Sequence, residues 1–171
     1  DLVATVNGSP YLRGKQAARE AVVTATATSS GRPVAYLNLV GGQDQLVFDG
    51  GSMVVDPSGR VVARGPRFDE AVVTVDVDVP VHEGPDPASA LEVVHVSGSV
   101  DRTDHAVPAV LASLDEDAEL YRALVTATRD YVTKSGFTDV CLGLSGGVDS
   151  ALVATIAADA LGPDRVHAVL M

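Results

Sequence analysis

One segment near the end of the chain constrains the fold more than any other. Residues 140–144 form an apolar run (VCLGL), the next six residues read SGGVDS, and residues 151–157 form a second apolar run (ALVATIA). This order predicts a β-strand, a glycine-rich turn and an α-helix over residues 149–161 in direct succession. Because a further apolar run follows at residues 166–170, we expect a βαβ unit with two parallel strands.

The turn has the composition of an anion-binding site, because unpaired N–H groups and the positive end of the helix dipole meet there. We expect Gly146 and Gly147 to adopt backbone conformations closed to other residues and to let the chain approach an anion closely. Ser145 and Ser150 add hydroxyl groups, and Asp149 adds a carboxylate suited to Mg²⁺ beside phosphates. The alternative is a tight connection in which Asp149 or Ser145 only caps the helix.

The chain contains neither G-x-x-x-x-G-K-[ST] nor G-x-G-x-x-G, so the two common nucleotide loops are excluded. The SGGVDS sequence instead resembles the pyrophosphate loop of the N-type ATP pyrophosphatases. Those enzymes cleave ATP between its α- and β-phosphates, adenylate a substrate oxygen and let a nitrogen nucleophile displace AMP. The resemblance implies that Asp149 is a magnesium ligand and that the ATP-binding residues are Gly143, Leu144, Ser145, Gly146, Gly147, Val148, Asp149 and Ser150.

Residues 1–79 alternate short apolar runs with turn signals. They predict a helix over residues 15–28, a hairpin turned by the DPSG sequence at residues 56–59, and strands at residues 2–6, 33–40, 46–48, 52–56 and 61–64. We expect Gly41 and Gly42 to break the second strand, and residues 71–79 to form a half-exposed edge strand. Such a set of elements is typical of the closing part of an α/β or α+β sandwich.

Residues 80–111 are rich in proline and acidic residues and predict a linker, with one weak strand-like run at residues 91–96. The next helix starts with the acidic residues 115–117 and ends at Gly136. Helical spacing predicts that its apolar face is formed by Leu120, Tyr121, Leu124, Val125, Thr128, Tyr131 and Val132. In the helix of the βαβ unit, we expect the sheet to be faced by Leu152, Val153, Ile156, Ala157 and Ala160.

The N-terminal half carries a second resemblance. The sequences NGSPY at residues 7–11, GK at 14–15, RE at 19–20 and YLNLVGGQDQLVFDG at 36–50 resemble the closing third of a nitrilase-fold glutamine amidohydrolase domain. The SMVVDPSG sequence at residues 52–59 matches the hairpin that closes such domains. A domain of this kind ahead of an SGGxDS loop is similar to the long, glutamine-dependent NAD synthetases.

The resemblance implies an α/β fold: the end of a nitrilase-like sandwich at residues 1–79, a linker at 80–111, and the first βαβ unit of an adenine-nucleotide α-hydrolase-like (Rossmann-like) synthetase domain at 112–171. It also implies a ligase that amidates deamido-NAD to NAD through an adenylate, with ATP and Mg²⁺, and that takes ammonia from L-glutamine. Ser9 and Lys15 correspond to glutamine contacts. The Glu, Lys and Cys of the glutaminase fall before Asp1, so no catalytic residue is expected within the chain.

By the same resemblance, the adenine and deamido-NAD pockets fall beyond Met171, and the full enzyme is expected to be a homo-oligomer. The net charge of −11 disfavours nucleic acid and anionic membranes as partners. One cysteine excludes an internal disulfide and suits a reducing cytoplasm, where we expect the protein to act. No run of residues is long and apolar enough to predict a membrane helix.

Other polar residues have simpler interpretations. We expect Cys141 to be a small buried residue, His167 to be a satisfied core or edge histidine, and Asp76 and Asp78 to lie on a solvated strand face.

His82, His95 and His105 lack the spacing of metal ligands. Gln43 and Asp44 form either a polar turn or part of the glutamine site or a subunit contact.

Two other functions remain open at this level. One is another N-type ATP pyrophosphatase, such as a GMP synthetase-like amidotransferase, although that enzyme would have a different glutaminase ahead of the loop. The other is a non-catalytic nitrilase-fold interaction module in which the loop is a structural turn and nucleotides do not bind.

Overall fold

The computed structural model describes residues 2–79 and 110–171. In chain order the helices and strands are β1 Val3–Asn7, α1 Lys15–Ser30, β2 Val34–Asn38, β3 Val40–Gln43, β4 Leu46–Asp49, β5 Met53–Val55, β6 Val61–Arg64, α2 Glu116–Lys134, β7 Val140–Leu144, α3 Val148–Leu161 and β8 Val166–Leu170. The α/β fold class is therefore confirmed. Most of the predicted linker, including the strand-like run at 91–96 and three of the histidines, lies outside the described residues.

The N-terminal part is built on a four-stranded sheet in the order β1-β2-β5-β6. β1 and β2 are parallel and are connected by α1, whereas β5 pairs antiparallel with both β2 and β6. One face of α1 packs on this sheet and forms a small core of Val23, Ala27, Val34, Met53 and Val55. β3 and β4 form a separate two-stranded hairpin.

The predicted DPSG turn joins β5 to β6 and is organised by the Asp56 carboxylate. That carboxylate accepts hydrogen bonds from the Ser58 hydroxyl (2.5 Å), the Ser58 amide (2.9 Å) and the Arg60 amide (3.0 Å). The bond from the Ser58 hydroxyl contributes most to lowering the pKa of Asp56 to about 2. The turn is thus stabilised by the ionised form of one side chain.

The βαβ unit is confirmed. β7 and β8 pair in parallel from Val140 opposite Val166 to Leu144 opposite Leu170. α3 connects them and also packs against α2, where the Tyr121 hydroxyl donates a 2.6 Å hydrogen bond to Asp159.

The predicted apolar face of α2 is correct only in part, since Val132 is buried and Tyr121, Val125 and Thr128 are half-buried. Leu120, Leu124 and Tyr131 are 41%, 42% and 60% exposed, and the helix instead buries Ala123, Val132 and the polar residues Glu119, Thr126 and Asp130. The two charged residues among them have partners in the N-terminal part: Asp130 accepts from Gly42 of β3, and Glu119 pairs with Arg67 of the segment after β6.

Three further strand and helix predictions need correction. Gly41 and Gly42 lie inside β3, and the break between β2 and β3 falls at Leu39. Residues 71–79 form no strand within the described part, and Val73 and Val75 of this segment line a cleft with residues of β2 and β5. In α3, Ile156, Ala157 and Ala160 are buried as expected, but Leu152 and Val153 are 50% and 54% exposed, since the described strands and α2 do not cover them.

None of the helices in the described part is long and apolar enough to cross a membrane.

Replacing Asp56 by Asn should destabilise the fold by roughly 1 kcal/mol at neutral pH, because the amide cannot replace an ionised acceptor. The folded-state pKa lies below the ordinary value of 3.8, so this stabilisation is present above pH ~4 and is lost as the pH falls towards about 2. Urea unfolding of both proteins at pH 7, 4 and 2.5 should show the difference shrinking with acidity. The exposed substitution Glu70→Gln is the control, and a difference that stays constant down to pH 2.5 would contradict the assignment.

Candidate functional site

The loop between β7 and α3 is open to solvent. Residues 145–149 are all exposed, and a Cβ placed on Gly146 would meet no atom within 4 Å. Gly146 has φ 81°, which favours glycine, as predicted. Gly147 has φ −86° and ψ 161°, a conformation that any residue adopts, so the prediction for Gly147 is wrong. Of the two glycines in the loop, only Gly146 has a backbone conformation that favours glycine.

The two predicted hydroxyl groups hold the loop to itself. The Ser150 hydroxyl donates to the carbonyl of Gly147 (3.0 Å) and accepts from the amide of Ser145 (3.3 Å). The Ser145 and Ser150 hydroxyl oxygens lie 3.2 Å apart. These contacts within the loop hold its shape.

The helix-capping alternative is not supported by the geometry. The N-cap of α3 is Gly147, and no side chain in the described part of the chain caps the helix. Asp149 lies within the first turn of α3 and is exposed, and Ser145 lies two residues before the cap. The amide groups at the start of α3 thus face open space with a carboxylate beside them, an arrangement that suits a phosphate with its cation.

The residues present fit a magnesium ion only in company with phosphate. Within residues 2–79 and 110–171, no three His, Cys, Asp or Glu side chains come together as a metal site. Asp149 is one carboxylate, and Mg²⁺ is commonly held by one or two carboxylates together with phosphate oxygens and water. The remaining predicted ATP contacts, Gly143, Leu144 and Val148, lie at the end of β7 and the start of α3.

The two predicted glutamine contacts lie close in the chain but differ in surroundings. Lys15 is the first residue of α1, and its ammonium group donates to the carbonyl of Pro10 (3.1 Å). It lines a cleft of 370 Å³ together with Asn7 and Tyr36. Ser9 is half-buried beside this segment, where its amide donates to the Asn38 side chain (2.8 Å).

Four ionic residues form a buried ionic chain, and none of them is among the site residues predicted from the sequence. Arg19, Asp49, Arg67 and Glu119 are 7%, 0%, 6% and 7% exposed. One nitrogen of Arg19 lies 2.8 Å from both carboxylate oxygens of Asp49, and Arg67 lies 2.8 Å from one of them. Arg67 also pairs with Glu119 of α2. Arg19 and Asp49 fall within the resembling segments, but nothing in the sequence indicates that α2 supplies the fourth charge.

A second contact holds α2 against the β3–β4 hairpin. The Asp130 carboxylate accepts from the amide of Gly42 (2.7 Å), and Lys134 donates to the Gly42 carbonyl (2.6 Å). Burial raises the pKa of Asp130, but the hydrogen bond from Gly42 and the charges of Arg129 and Lys134 outweigh it, so the pKa lies below its ordinary value. Gly42 permits this approach, because a Cβ there would lie 3.0 Å from the Cβ of Asp130 and 3.5 Å from the Cα of Ala127.

Several single residues can now be placed. Cys141 is exposed, so its predicted burial is wrong; α3 covers one face of β7 and Cys141 lies on the other. His167 is also exposed on β8 and lies 3.0 Å from Asp139, as an edge histidine would.

Asp76 and Asp78 are exposed as expected, although not on a strand. Asp44 occupies the turn between β3 and β4 with φ 51°. This agrees with the polar-turn interpretation for Asp44, whereas Gln43 is the last residue of β3. A role of either residue in the glutamine site or in a subunit contact stays a prediction.

Comparison with known proteins identifies both halves of the chain. The carbon-nitrogen hydrolase family matches residues 3–83, and the NAD synthase family matches residues 120–171. The glutamine-dependent NAD(+) synthetase of Rhodobacter capsulatus is 45% identical over 172 residues, which cover 100% of this chain and 28% of that protein. The chain matches a segment of the glutamine-dependent NAD(+) synthetases. The corresponding enzyme of Thermotoga maritima is 42% identical, over 99% of this chain and 31% of that protein.

A solved glutamine-dependent NAD(+) synthetase, that of Acinetobacter baumannii in complex with ADP, superposes with a TM-score of 0.77 at 38% identity, covering 100% of this chain and 28% of that one. The chain thus spans about 30% of the length of the NAD(+) synthetases that it matches. The resemblance read from the SGGVDS loop and the nitrilase-like sequences is confirmed. The buried ionic chain begins in the part that matches the carbon-nitrogen hydrolase family and ends on α2, the helix that leads into the part that matches the NAD synthase family.

Replacing Gly42 by Ala should destabilise the protein by about 1–3 kcal/mol, because the new methyl group would push α2 away from the hairpin. Thermal unfolding measures this, and the Asp130→Asn background should reduce the effect, since the same contact is then already weakened. Gly8→Ala is the matched control: its Cβ would lie 3.7 Å from Phe48, an ordinary contact. Equal losses at the two glycines would contradict close packing at Gly42.

Proposed function

We propose that the protein carrying this chain is a glutamine-dependent NAD(+) synthetase. It would amidate deamido-NAD with ATP through an adenylate, take ammonia from the hydrolysis of L-glutamine, and release AMP and pyrophosphate. The observation that supports this most is the open SGGVDS loop at the start of α3, in a chain whose other half is hydrolase-like. A GMP synthetase-like ligase or a non-catalytic module has no comparable support.

In this proposal, residues 143–150 bind the phosphates of ATP. The free amide groups at the start of α3 face the charge that develops on the departing pyrophosphate, and Gly146 leaves room for its oxygens. Asp149 would hold Mg²⁺, which supplies neutralisation of phosphate charge. Because Ser145 and Ser150 already fix the loop, little ordering is needed when ATP binds. The Acinetobacter baumannii relative was solved with ADP, which agrees with an adenine nucleotide as ligand.

On the glutamine side, we assign Ser9 and Lys15 to substrate binding. The Lys15 ammonium lies at the cleft shared with Asn7 and Tyr36, where it would pair with the carboxylate of glutamine. The catalytic Glu, Lys and Cys of the glutaminase, the adenine pocket and the deamido-NAD pocket are assigned to parts of the protein other than this chain.

The same proposal covers domain organisation and partners. We assign residues 1–79 to the hydrolase-like domain, 80–111 to a linker and 112–171 to the synthetase domain, within a homo-oligomer in the cytoplasm. The small-molecule partners are ATP, deamido-NAD and L-glutamine. The net charge of −11 argues against nucleic acid as a partner.

The decisive assay supplies the whole protein with ATP, Mg²⁺ and deamido-NAD, with either L-glutamine or ammonium, and measures AMP and NAD. Formation of both products from both nitrogen sources is the expected result. NAD from ammonium alone would remove the glutaminase part of the proposal. AMP formation that does not depend on deamido-NAD would point to a different ligase, and absence of nucleotide binding would point to a non-catalytic module.

Replacing Asp149 by Asn should reduce deamido-NAD-dependent AMP formation by about 100-fold or more, since the carboxylate that would hold Mg²⁺ beside the phosphates is lost. Glutamine hydrolysis, measured as glutamate release, should persist. Asp164→Asn is the matched control, because Asp164 is an exposed aspartate just beyond the end of α3. An unchanged dependence of AMP formation on Mg²⁺ concentration, from limiting to saturating Mg²⁺, would show that Asp149 does not hold the ion.

Replacing Lys15 by Ala should raise the KM for glutamine by about tenfold or more and leave the ammonium-dependent rate unchanged, because one charge partner of the substrate carboxylate is removed. Steady-state kinetics with each nitrogen source measure this. Arg13→Ala removes an exposed cation two residues away and should leave both reactions intact. Equal impairment of both reactions by Lys15→Ala would place Lys15 outside the glutamine site.

A further inference from the structure

The four-residue ionic chain described above joins the two halves of the molecule. We propose that Glu119 and Arg67 are positioning residues for glutamine use: from α2, and through Asp49 and Arg19, they fix the segment that carries Ser9 and Lys15. This inference rests on the proposed function, because it takes that segment as the glutamine site.

The first step is the pairing of Glu119 with Arg67. Both side chains are nearly inaccessible to water, with Arg67 5% and Glu119 10% exposed at the side-chain level. Arg67 is shared between Glu119 and Asp49, so the three residues carry two negative charges and one positive charge, and Arg19 balances the second negative charge. Removing one charge from such a set leaves another charge buried without a full partner, which is strongly unfavourable.

The second step is the attachment of Arg19 to the glutamine segment. One terminal nitrogen of Arg19 donates to the carbonyls of Ser9 (2.8 Å) and Pro10 (3.0 Å), and its Nε donates to the Ser9 hydroxyl (3.3 Å). The carbonyl of Pro10 also accepts from the ammonium group of Lys15. Arg19 therefore contacts Ser9 directly and shares a hydrogen-bond acceptor with Lys15, so a shift of Arg19 would disturb the contacts of both residues.

The link between the two steps is competition for Asp49. The Asp49 carboxylate is completely buried and is divided between Arg19 and Arg67, each at 2.8 Å. If Glu119 loses its charge, Arg67 keeps Asp49 as its remaining anionic partner, and we expect it to draw that carboxylate away from Arg19. The hydrogen bonds from Arg19 to Ser9 and Pro10 would then weaken, although Glu119 contacts neither of these two residues.

A second glutamate on α2 provides a matched control. Glu116 pairs with Arg13 across the same boundary between α2 and the N-terminal part, but these side chains are 68% and 57% exposed. Because exposed ion pairs contribute little, Glu116→Gln changes the same chemical group without disturbing a buried charge. Burial is the main difference between the two substitutions.

The experiment compares Glu119→Gln and Glu116→Gln with the wild-type whole protein, with glutamine and ammonium as nitrogen sources. We expect Glu119→Gln to raise the KM for glutamine by roughly tenfold, with the ammonium-dependent kcat within about twofold of the wild type. Glu116→Gln should match the wild type in both reactions. The double variant Arg67→Gln/Glu119→Gln should recover most of the glutamine affinity, because it removes the unpaired charge and leaves Asp49 to Arg19.

Thermal unfolding of each variant separates positioning from loss of structure. If Glu119→Gln does not fold, Glu119→Asp takes its place; it keeps the charge, shortens the reach, and should raise the glutamine KM by about threefold. An unchanged glutamine KM in the folded variant, or an equal loss with glutamine and ammonium, would overturn the inference. A wild-type protein that makes no NAD from either source would instead refute the proposed function itself.

Discussion

The Asp49 carboxylate is completely buried, and its contacts show which partners replace water around it. A carboxylate removed from water costs several kcal/mol unless cationic partners and hydrogen bonds replace the solvent. Arg19 supplies one partner from α1, and Arg67 supplies the other from the segment after β6. Arg67 then needs a second anion of its own, and Glu119 of α2 provides it. One buried charge thus determines which side of α2 faces the N-terminal part, and it does so more strongly than apolar periodicity, because half-exposed leucines cost far less than an unpaired ion.

The hairpin of β3 and β4 meets the same helix in a different way. Two glycines remove side chains from the contact, and the backbone of the second one forms hydrogen bonds with Asp130 and Lys134. A glycine pair that the sequence presents as a strand break is therefore a flat surface against which a helix packs. The two contacts, one ionic and one made by backbone groups, lie about three turns apart on α2 and together set its orientation.

Structure that depends on neighbouring residues could be predicted from the sequence, whereas contacts between residues far apart in the chain could not. The strand, turn and helix around SGGVDS follow from neighbouring residues, as does the turn at Asp56, and both are correct. The buried face of α2 depends on Asp130 meeting Gly42, 88 residues away, and on Glu119 meeting Arg67. Helical spacing identified Leu120 and Leu124 because periodicity assumes that burial means apolar packing. Cys141 was misjudged for a related reason: an apolar strand predicts a sheet, but not which of its two faces another element covers.

The SGGVDS loop depends on these contacts although it takes part in none of them. Its own shape is held by hydrogen bonds of the Ser150 hydroxyl with the backbone of Ser145 and Gly147. Its position relative to the hydrolase-like part is set by α3, which packs on α2, and by α2 in turn through Glu119 and Asp130. A movement of α2 that separated Glu119 from Arg67 would expose neither charge to water at first, and so would meet a steep electrostatic cost. For this reason we infer that the buried ionic chain couples the two halves of the molecule. The exposed pair of Arg13 and Glu116 does not have this effect, because it can separate into water at little cost.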